Sequence, residues 1–359
     1  MASIKGSSIR IISLDSRDEW KDAVSGLHDF YHLPFFHELA KDLDEGEPRL
    51  FVYEGGGYRI SLPLLIRRID TALEDSNGKP WFDATSVYGY PGPVASHSDI
   101  PDDVKRDFQE SLTRALTEKS VVSLFSRLHP FLNQHSLIKG LGTLVSQGHT
   151  VSIDLSIPEE SQVAQYRENH HRGLKKLREM GATCYVDENF RHLDAFIKIY
   201  GETMSRVRAT EDYIFPRHYF QKFVATDETE VKLFVCEIGD EIACAGIFTK
   251  CGDIVQYHLG GTSHAALKFS PMKLVLDTAR HWGYEHGAKI MHIGGGVGTR
   301  DDSLFHFKMG FSNRTHAFST WRWILLQSVY DQLAAAFKTK QSGKTQPKQP
   351  ADFFPLYRS

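Results

Sequence analysis

The chain has 359 residues, 41% hydrophobic and 24% charged, with 23 Phe, 14 Tyr and 5 Trp. This is a globular composition, and the length suits two ordinary domains better than one. A formal charge of −3 excludes a protein built chiefly to coat nucleic acid, although a local basic patch would still grip phosphate. No apolar run approaches the ~20 residues of a membrane helix, and the N-terminus lacks the apolar core of a signal peptide. Cys184, Cys236, Cys244 and Cys251 form neither a C-x-x-C pair nor a zinc spacing, so reduced thiols are expected. The expected compartment is the cytoplasm, with the inner face of the membrane as the alternative.

In chain order, 49–54 and 58–68 read as two half-buried strands joined by Gly55-Gly56-Gly57 in a hairpin turn. A polar loop at 71–80 precedes the aromatic and glycine-rich stretch W-F-D-A-T-S-V-Y-G-Y-P-G-P (81–93). Val104, Phe108, Leu112, Ala115 and Leu116 fall on one stripe, which predicts a helix over 102–119. A strand at 121–128 follows. A boundary near 148–158 separates this helix–hairpin–loop–helix–strand series from a second one. There a strand ends at Pro158, and a basic helix (166–181) is stopped by Gly181. A strand (183–186), a long helix (192–204) and a three-strand meander turning at Gly239-Asp240 and Gly252-Asp253 complete the first half of that series. A helix from Ser270-Pro271, the strand I-M-H-I, G-G-G-V-G and S-L-F-H-F-K-M-G-F (303–311) end it. The order partly repeats that of the first part, which suggests two related domains. The stretch K-T-K-Q-S-G-K-T-Q-P-K-Q-P (338–350) reads as a disordered basic tail.

Several residues invite chemistry and also have plain structural readings. Gln256 and His258 alternate with Val255, Tyr257 and Leu259, so they share one face of a buried strand. Ser270-Pro271 opens a helix whose N-terminal N–H groups, with Lys273, would hold an anion, yet capping alone explains both residues. Asp301 and Asp302 are expected to cap the helix that carries Lys308. Gly294-Gly295-Gly296-Val297-Gly298 lacks the Gly-Lys-Ser/Thr of a P-loop and reads as a tight strand-to-helix turn. Arg172, Lys175, Lys176 and Arg178 make either a solvated helix face or a surface for a diphosphate or a tRNA acceptor stem. Tyr88 and Tyr90 would stack on a sugar ring or serve as core aromatics, and Phe36 with His37 is a weaker acceptor candidate. No His/Cys/Asp/Glu set has metal-ligand spacing, so no metal is expected.

From about residue 30 to 325 the chain resembles the FemABX-like branch of the GNAT acyltransferase superfamily. The carriers are Asp83 to Pro93 with Y-G-Y-P-G-P, the basic helix from His170-His171-Arg172 to Gly181, and the strand end Tyr257 to Gly261. Ser270-Pro271 and S-L-F-H-F-K-M-G-F complete the set, and Phe-Lys-x-Gly-Phe is the most specific of them. The resemblance implies an α/β (α+β) fold of two tandem GNAT-like domains, each a mixed sheet flanked by helices. It suggests 1–148 on the acceptor side, 149–326 with the acyl-transfer site, and 327–359 as the tail. It implies that Lys308 stands beside the reacting carbonyl as a fixed ammonium, with Phe307 next to it, and that Gln256 and His258 lie where the acyl group enters between splayed strands. His258 then reads as a general base or as a hydrogen-bonded core histidine. By the same resemblance Arg206, Arg208 and Tyr213 face the acceptor, and Ser270 and Lys273 face the donor. Two departures stand out: relatives often carry an acidic residue where His292 lies, and no heptad run for a coiled-coil arm occurs between Met180 and Asp240. The coenzyme A signature Q/R-x-x-G-x-G/A is also missing, the stretch being S-H-A-A-L-K-F.

The expected function is therefore transfer of an acyl or aminoacyl group onto a primary amine of a cell-envelope precursor, an amino sugar or a peptide stem. The expected donor is acyl-CoA or aminoacyl-tRNA, with no tightly bound cofactor and with nucleotide- or lipid-linked acceptors open. The alternatives are an acetyl-CoA-dependent N-acetyltransferase of a small amine and a non-catalytic binding module on the same fold.

Overall fold

The computed structural model describes residues 7–71, 78–210, 213–299, 301–341 and 353–359. The chain begins with β1 (Ser8–Ile12), α1 (Arg17–Val24), α2 (Pro34–Asp42), β2 (Glu47–Gly55), β3 (Tyr58–Arg68), β4 (Phe82–Thr85) and β5 (Val94–Ala95). Next come α3 (Asp102–Glu118), β6 (Val121–Arg127), α4 (His135–Ile138), β7 (Thr143–Asp154), α5 (Glu159–Val163), α6 (Glu168–Glu179) and β8 (Thr183–Val186). Then follow α7 (Leu193–Arg206), α8 (Arg217–Val224), β9 (Glu230–Ile238), β10 (Glu241–Cys251), β11 (Ile254–Thr262) and α9 (Met272–Glu285). Last are β12 (Ile290–Gly294), α10 (Ser303–Lys308), β13 (Thr315–Ile324) and α11 (Gln327–Gln341). The residues fall into two compact units, Met1–Gln147 with Phe318–Ser359, and Gly148–Ala317.

In the first unit the strands lie in the order β1-β2-β3-β4-β6-β13, with β5 on β3. The β2–β3 hairpin closes at Gly56 and Gly57, both with positive φ (62° and 82°), the backbone that a two-residue hairpin turn demands. Its core sets Phe51, Tyr53, Ile60, Leu62 and Leu64 against the α3 stripe of Val104, Phe108, Leu112, Ala115 and Leu116. Tyr53 carries its hydroxyl into that core and donates it to the Asp107 carboxylate at 2.7 Å, so the polar atom is not stranded.

The second unit repeats the plan as β8-β9-β10-β11-β12-β7. In both units three antiparallel pairings lead to one parallel pairing (β4–β6, β11–β12), and an antiparallel strand follows it. One face of the second sheet packs on α6 and α9 through Phe234, Phe248, Leu174, Leu177, Val275 and Leu276. Phe196, Tyr200 and Phe220 form a ring-packed layer from α7 and α8, and Tyr219 joins it to Phe223. Tyr166 donates to Asp277 at 2.9 Å, and Arg178 and Arg280 pair with the same carboxylate.

Two expectations need correction. The second domain does not extend to 326, because β13 pairs with β6 and buries Trp321 and Trp323 in the first core, where the Trp321 indole donates to the Leu141 carbonyl at 2.7 Å. Nor is 327–359 simply a tail. Tyr330, Leu333 and Ala334 of α11 bury against Ile69 and Val122, and Phe354, Leu356 and Tyr357 pack on them. Arg358 joins Arg67 on the buried Asp83 carboxylate. The polar composition of 338–350 hid these anchors, which flank it on both sides; its residues 342–350 lie outside the described residues, as do 72–77 of the expected loop.

Candidate active site

The parallel pair of the second unit comes apart. β11 and β12 pair at Ile254↔Ile290, Val255↔Met291 and Gln256↔His292 and no further, while β11 runs on from Tyr257 to Thr262. Two local features cause this. On β10, Ile247 pairs with Leu259 and Phe248 with Tyr257, which leaves His258 as the extra residue of a β-bulge that bends β11. On the other side Gly294 takes φ +74 and Gly295 presses on the His149 carbonyl, where a Cβ would come within 2.7 Å, so the chain leaves the sheet through backbone only glycine tolerates.

α10 returns the chain to this opening. The Asp302 carboxylate caps it, accepting the Phe305 N–H and the Val297 N–H, both at 2.9 Å, as the sequence led one to expect. Lys308, on the last turn, is 7% exposed. Its Nζ donates to the Gly295 carbonyl at 2.7 Å and stands 5.7 Å from the centre of the Tyr257 ring. Burial pulls the ammonium down to about 8, with Asp302 partly restoring it. At neutral pH the group is thus a cation held by a carbonyl dipole and a ring face, which suits stabilisation of a developing anion.

The remainder of the Phe-Lys-x-Gly-Phe phrase explains how Lys308 is held. The Nε2–H of His170, buried on α6, donates to the Phe307 carbonyl at 3.0 Å, and its ring meets Phe311 edge-on at 4.6 Å. A Cβ at Gly310 would fall 2.0 Å from that imidazole, so glycine is required for α6 and α10 to approach. Desolvation holds His170 at about 4, hence neutral in use.

The other sequence candidates disperse. Gln256 Oε1 bonds His292 Nδ1 at 2.7 Å, beside the last strand pair. His258 bonds the Tyr219 hydroxyl at 3.2 Å and stacks on Phe223 at 4.6 Å, on the α8 face, whereas Tyr257 and Lys308 lie toward the α9 side. The bulge breaks the simple alternation expected there. Ser270 has φ +53, and Pro271, not Ser270, is the N-cap of α9, with no side-chain cap; the expectation that Ser270 caps this helix is corrected. Lys273 donates to the Asn169 carbonyl at 3.0 Å and so ties α9 to α6. Arg172 is exposed near Glu168. Arg206 reaches the Thr262 carbonyl at the tip of β11 (3.3 Å), while Arg208 is exposed and the Tyr213 carbonyl accepts from Tyr200. Phe307 packs on Phe311. In the first unit Phe36 is buried among Phe30 and Tyr31, and Tyr90 meets Tyr31, His129 and Phe318 edge-on; Tyr88 is half-buried. In the sequence His170 and Tyr257 stand out only as carriers of the family resemblance, with no role at the site assigned to either; the His170-His171 doublet was the available signal for the first. A cavity of about 710 Å³ opens beside the end of β11, lined among others by Ile199, Glu202, Asp240, Glu241 and His264.

Residues 164–309 match the family described as acetyltransferase (GNAT) domain. This stretch is thus similar to a GNAT acetyltransferase domain. It holds the parting strands and Lys308 together. No curated protein matches the chain. Among solved structures, that of FemX aligns with 90% of this chain and 99% of its own at 13% identity, TM-score 0.67. The C-terminal DUF2156 domain of a putative lysylphosphatidylglycerol synthetase from Agrobacterium fabrum aligns at 13% identity over 88% and 96%, TM-score 0.54. L-PGS from Bacillus licheniformis does so at 12% over 87% and 91%, TM-score 0.52. The chain thus shares its fold with FemX. Among the described residues no helix is long and apolar enough to cross a membrane, and no group of three or more His, Cys, Asp or Glu could hold a metal ion.

Proposed function

We propose that the chain moves an acyl or aminoacyl group onto a primary amine of a cell-envelope precursor, an amino sugar or a peptide stem, at the opening between β11 and β12. The observation that carries this reading is Lys308, a buried ammonium to which, among the described residues, no carboxylate is bonded, standing where the strands part. The acceptor nitrogen attacks the carbonyl carbon of the donor, and Lys308 donates to the oxygen as it gains charge. Collapse breaks the C–S or C–O bond and expels a thiolate or a ribose alkoxide, which takes the proton given up by the nitrogen and leaves as a thiol or a hydroxyl. The cavity is lined by Glu202, Asp240 and Glu241 against Lys198, a net negative charge that would draw a cationic amine toward the tip of β11.

Either acyl-CoA or aminoacyl-tRNA serves as donor. The missing coenzyme A signature and the commitment of Lys273 to Asn169 favour tRNA, and the exposed basic face of α6 offers it a surface. The fold shared with a putative lysylphosphatidylglycerol synthetase, whose name joins a lysyl group to a lipid, supports an aminoacyl group and a lipid-linked acceptor. Calorimetric titration with acetyl-CoA, alongside mass measurement of amino sugars and stem peptides incubated with charged bulk tRNA, separates the donors. Tight acetyl-CoA binding with acetylated product would overturn the aminoacyl version. A protein that adds mass to no amine with either donor would overturn the enzyme reading.

A further inference from the structure

Tyr257 is the first residue of β11 beyond its last pairing with β12, and its ring lies beneath the Lys308 ammonium. The ring packs on Phe248 at 5.1 Å. Its hydroxyl reaches over Gly260, where a Cβ would sit 2.1 Å from the oxygen, so only a glycine lets the hydroxyl lie along the part of β11 that has left β12. Among the described residues this hydroxyl makes no hydrogen bond, unlike the buried hydroxyls of Tyr53 and Tyr166, each of which donates to an aspartate. A tyrosine beside a buried ammonium, with an uncommitted O–H lying along the part of β11 that has left β12, is a donor in waiting.

We propose that the Tyr257 hydroxyl is a second hydrogen-bond donor to the reacting carbonyl oxygen, acting with Lys308. The inference rests on the acyl-transfer reading above. When the acceptor nitrogen bonds to the carbonyl carbon, the C=O electron pair moves onto oxygen, which accepts from Tyr257 O–H and from Lys308 N–H. Neither donor gives up its proton. On collapse the pair returns to the C=O bond, the C–S or C–O bond to the leaving group breaks, and the leaving group takes the proton shed by nitrogen. Lys308 supplies charge and Tyr257 a neutral dipole. Burial raises the phenol well above its ordinary value, so it keeps its proton where Lys308 begins to lose its own.

Tyr257→Phe tests this, since it keeps the ring under Lys308 and removes only the oxygen. The donors are acetyl-CoA and charged bulk tRNA, with amino sugars and stem peptides as acceptors. The expected result is a kcat loss of about 10- to 100-fold at nearly unchanged KM, with the rate falling further above pH 8 than in the wild type. Lys308→Met is run alongside. A wild-type protein that turns over no donor, or a Lys308→Met variant as active as the wild type, sinks the underlying reading and this inference with it. A Lys308→Met loss with Tyr257→Phe at wild-type kcat sinks the tyrosine alone. If Tyr257→Phe melts lower, kinetics below both melting midpoints decide: a kcat loss supports the proposal, and a raised KM with intact kcat overturns it.

Discussion

The parallel strand pairs of the two units share a place in the same strand order and behave in opposite ways. In the first unit β4 and β6 stay joined beyond Thr85↔Phe125, since Ser86 N–H donates to the Phe125 carbonyl at 3.0 Å and the Arg127 N–H to Ser86 Oγ at 3.3 Å. In the second, pairing stops at Gln256 and a glycine turns β12 away. The buried polar groups differ in the same sense. Beside the closed pair, Asp29 meets His129 at 3.1 Å, and the Pro91 carbonyl accepts from His32 and Gln134, each at 2.6 Å. Beside the open pair a lysine charge has one carbonyl and one ring face. Satisfied polar groups hold a loop in place, whereas an under-compensated charge at an opening is poised for a ligand.

The sharpest way to break this contrast is Lys308→Met. It should lower kcat by about 10²- to 10³-fold, the usual cost of removing a group that holds a developing oxyanion. Stability should stay level or rise by ~1–4 kcal/mol, because a desolvated charge is exchanged for a matched apolar chain. Steady-state kinetics and a urea melt read both. Activity and stability falling together would make Lys308 a structural lysine.

A second test uses pH. With the folded lysine at about 8 against 10.5 for the free group, the rate should fall as pH rises through 8, tenfold per unit once the cation is the minority form. Between pH 8 and 10.5 the unfolded chain binds the proton that the folded lysine has shed, so stability should rise with pH over that window. Lys308→Arg, which stays charged, should move the kinetic limb out of range. A wild-type rate flat from pH 7 to 10 would contradict the assignment.

How much of this was legible beforehand follows from which signals are local. The β2–β3 hairpin, α3 and the three-strand meander were readable because glycine turns and apolar spacing are written within a few neighbouring residues. The Asp302 cap was equally local. What stayed hidden depends on contacts remote in sequence: β13 joining β6, Arg358 reaching Asp83, and the bulge at His258, whose cause lies in register with β10. Lys308 was found through its motif, whereas the reason for Gly310, an imidazole from α6, could not be seen without the fold.

Gly310→Ala sharpens the account of how Lys308 is placed. The new methyl would collide with the His170 ring, forcing α6 and α10 apart at a cost of ~1–3 kcal/mol. The Phe307–His170 bond should break and Lys308 shift, lowering kcat by roughly tenfold. His170→Ala in the same background removes the obstacle and should restore part of the stability. If the double variant is no more stable than Gly310→Ala, the close approach is not what this glycine serves.

The smallest effect on catalysis should come from the closed site. Asp29→Asn weakens the buried hydrogen bond with His129 and should cost ~1–3 kcal/mol of stability, the range for a buried hydrogen bond that loses its partner. Yet kcat measured well below the melting midpoint should change less than twofold, since Asp29 and His129 secure the Y-G-Y-P-G-P loop and the chemistry lies with Lys308. The measurement is a melt paired with kinetics at low temperature. A large kcat loss at intact fold would mean that the first unit's buried pair takes part in turnover, and the division between a holding site and a reacting site would fail.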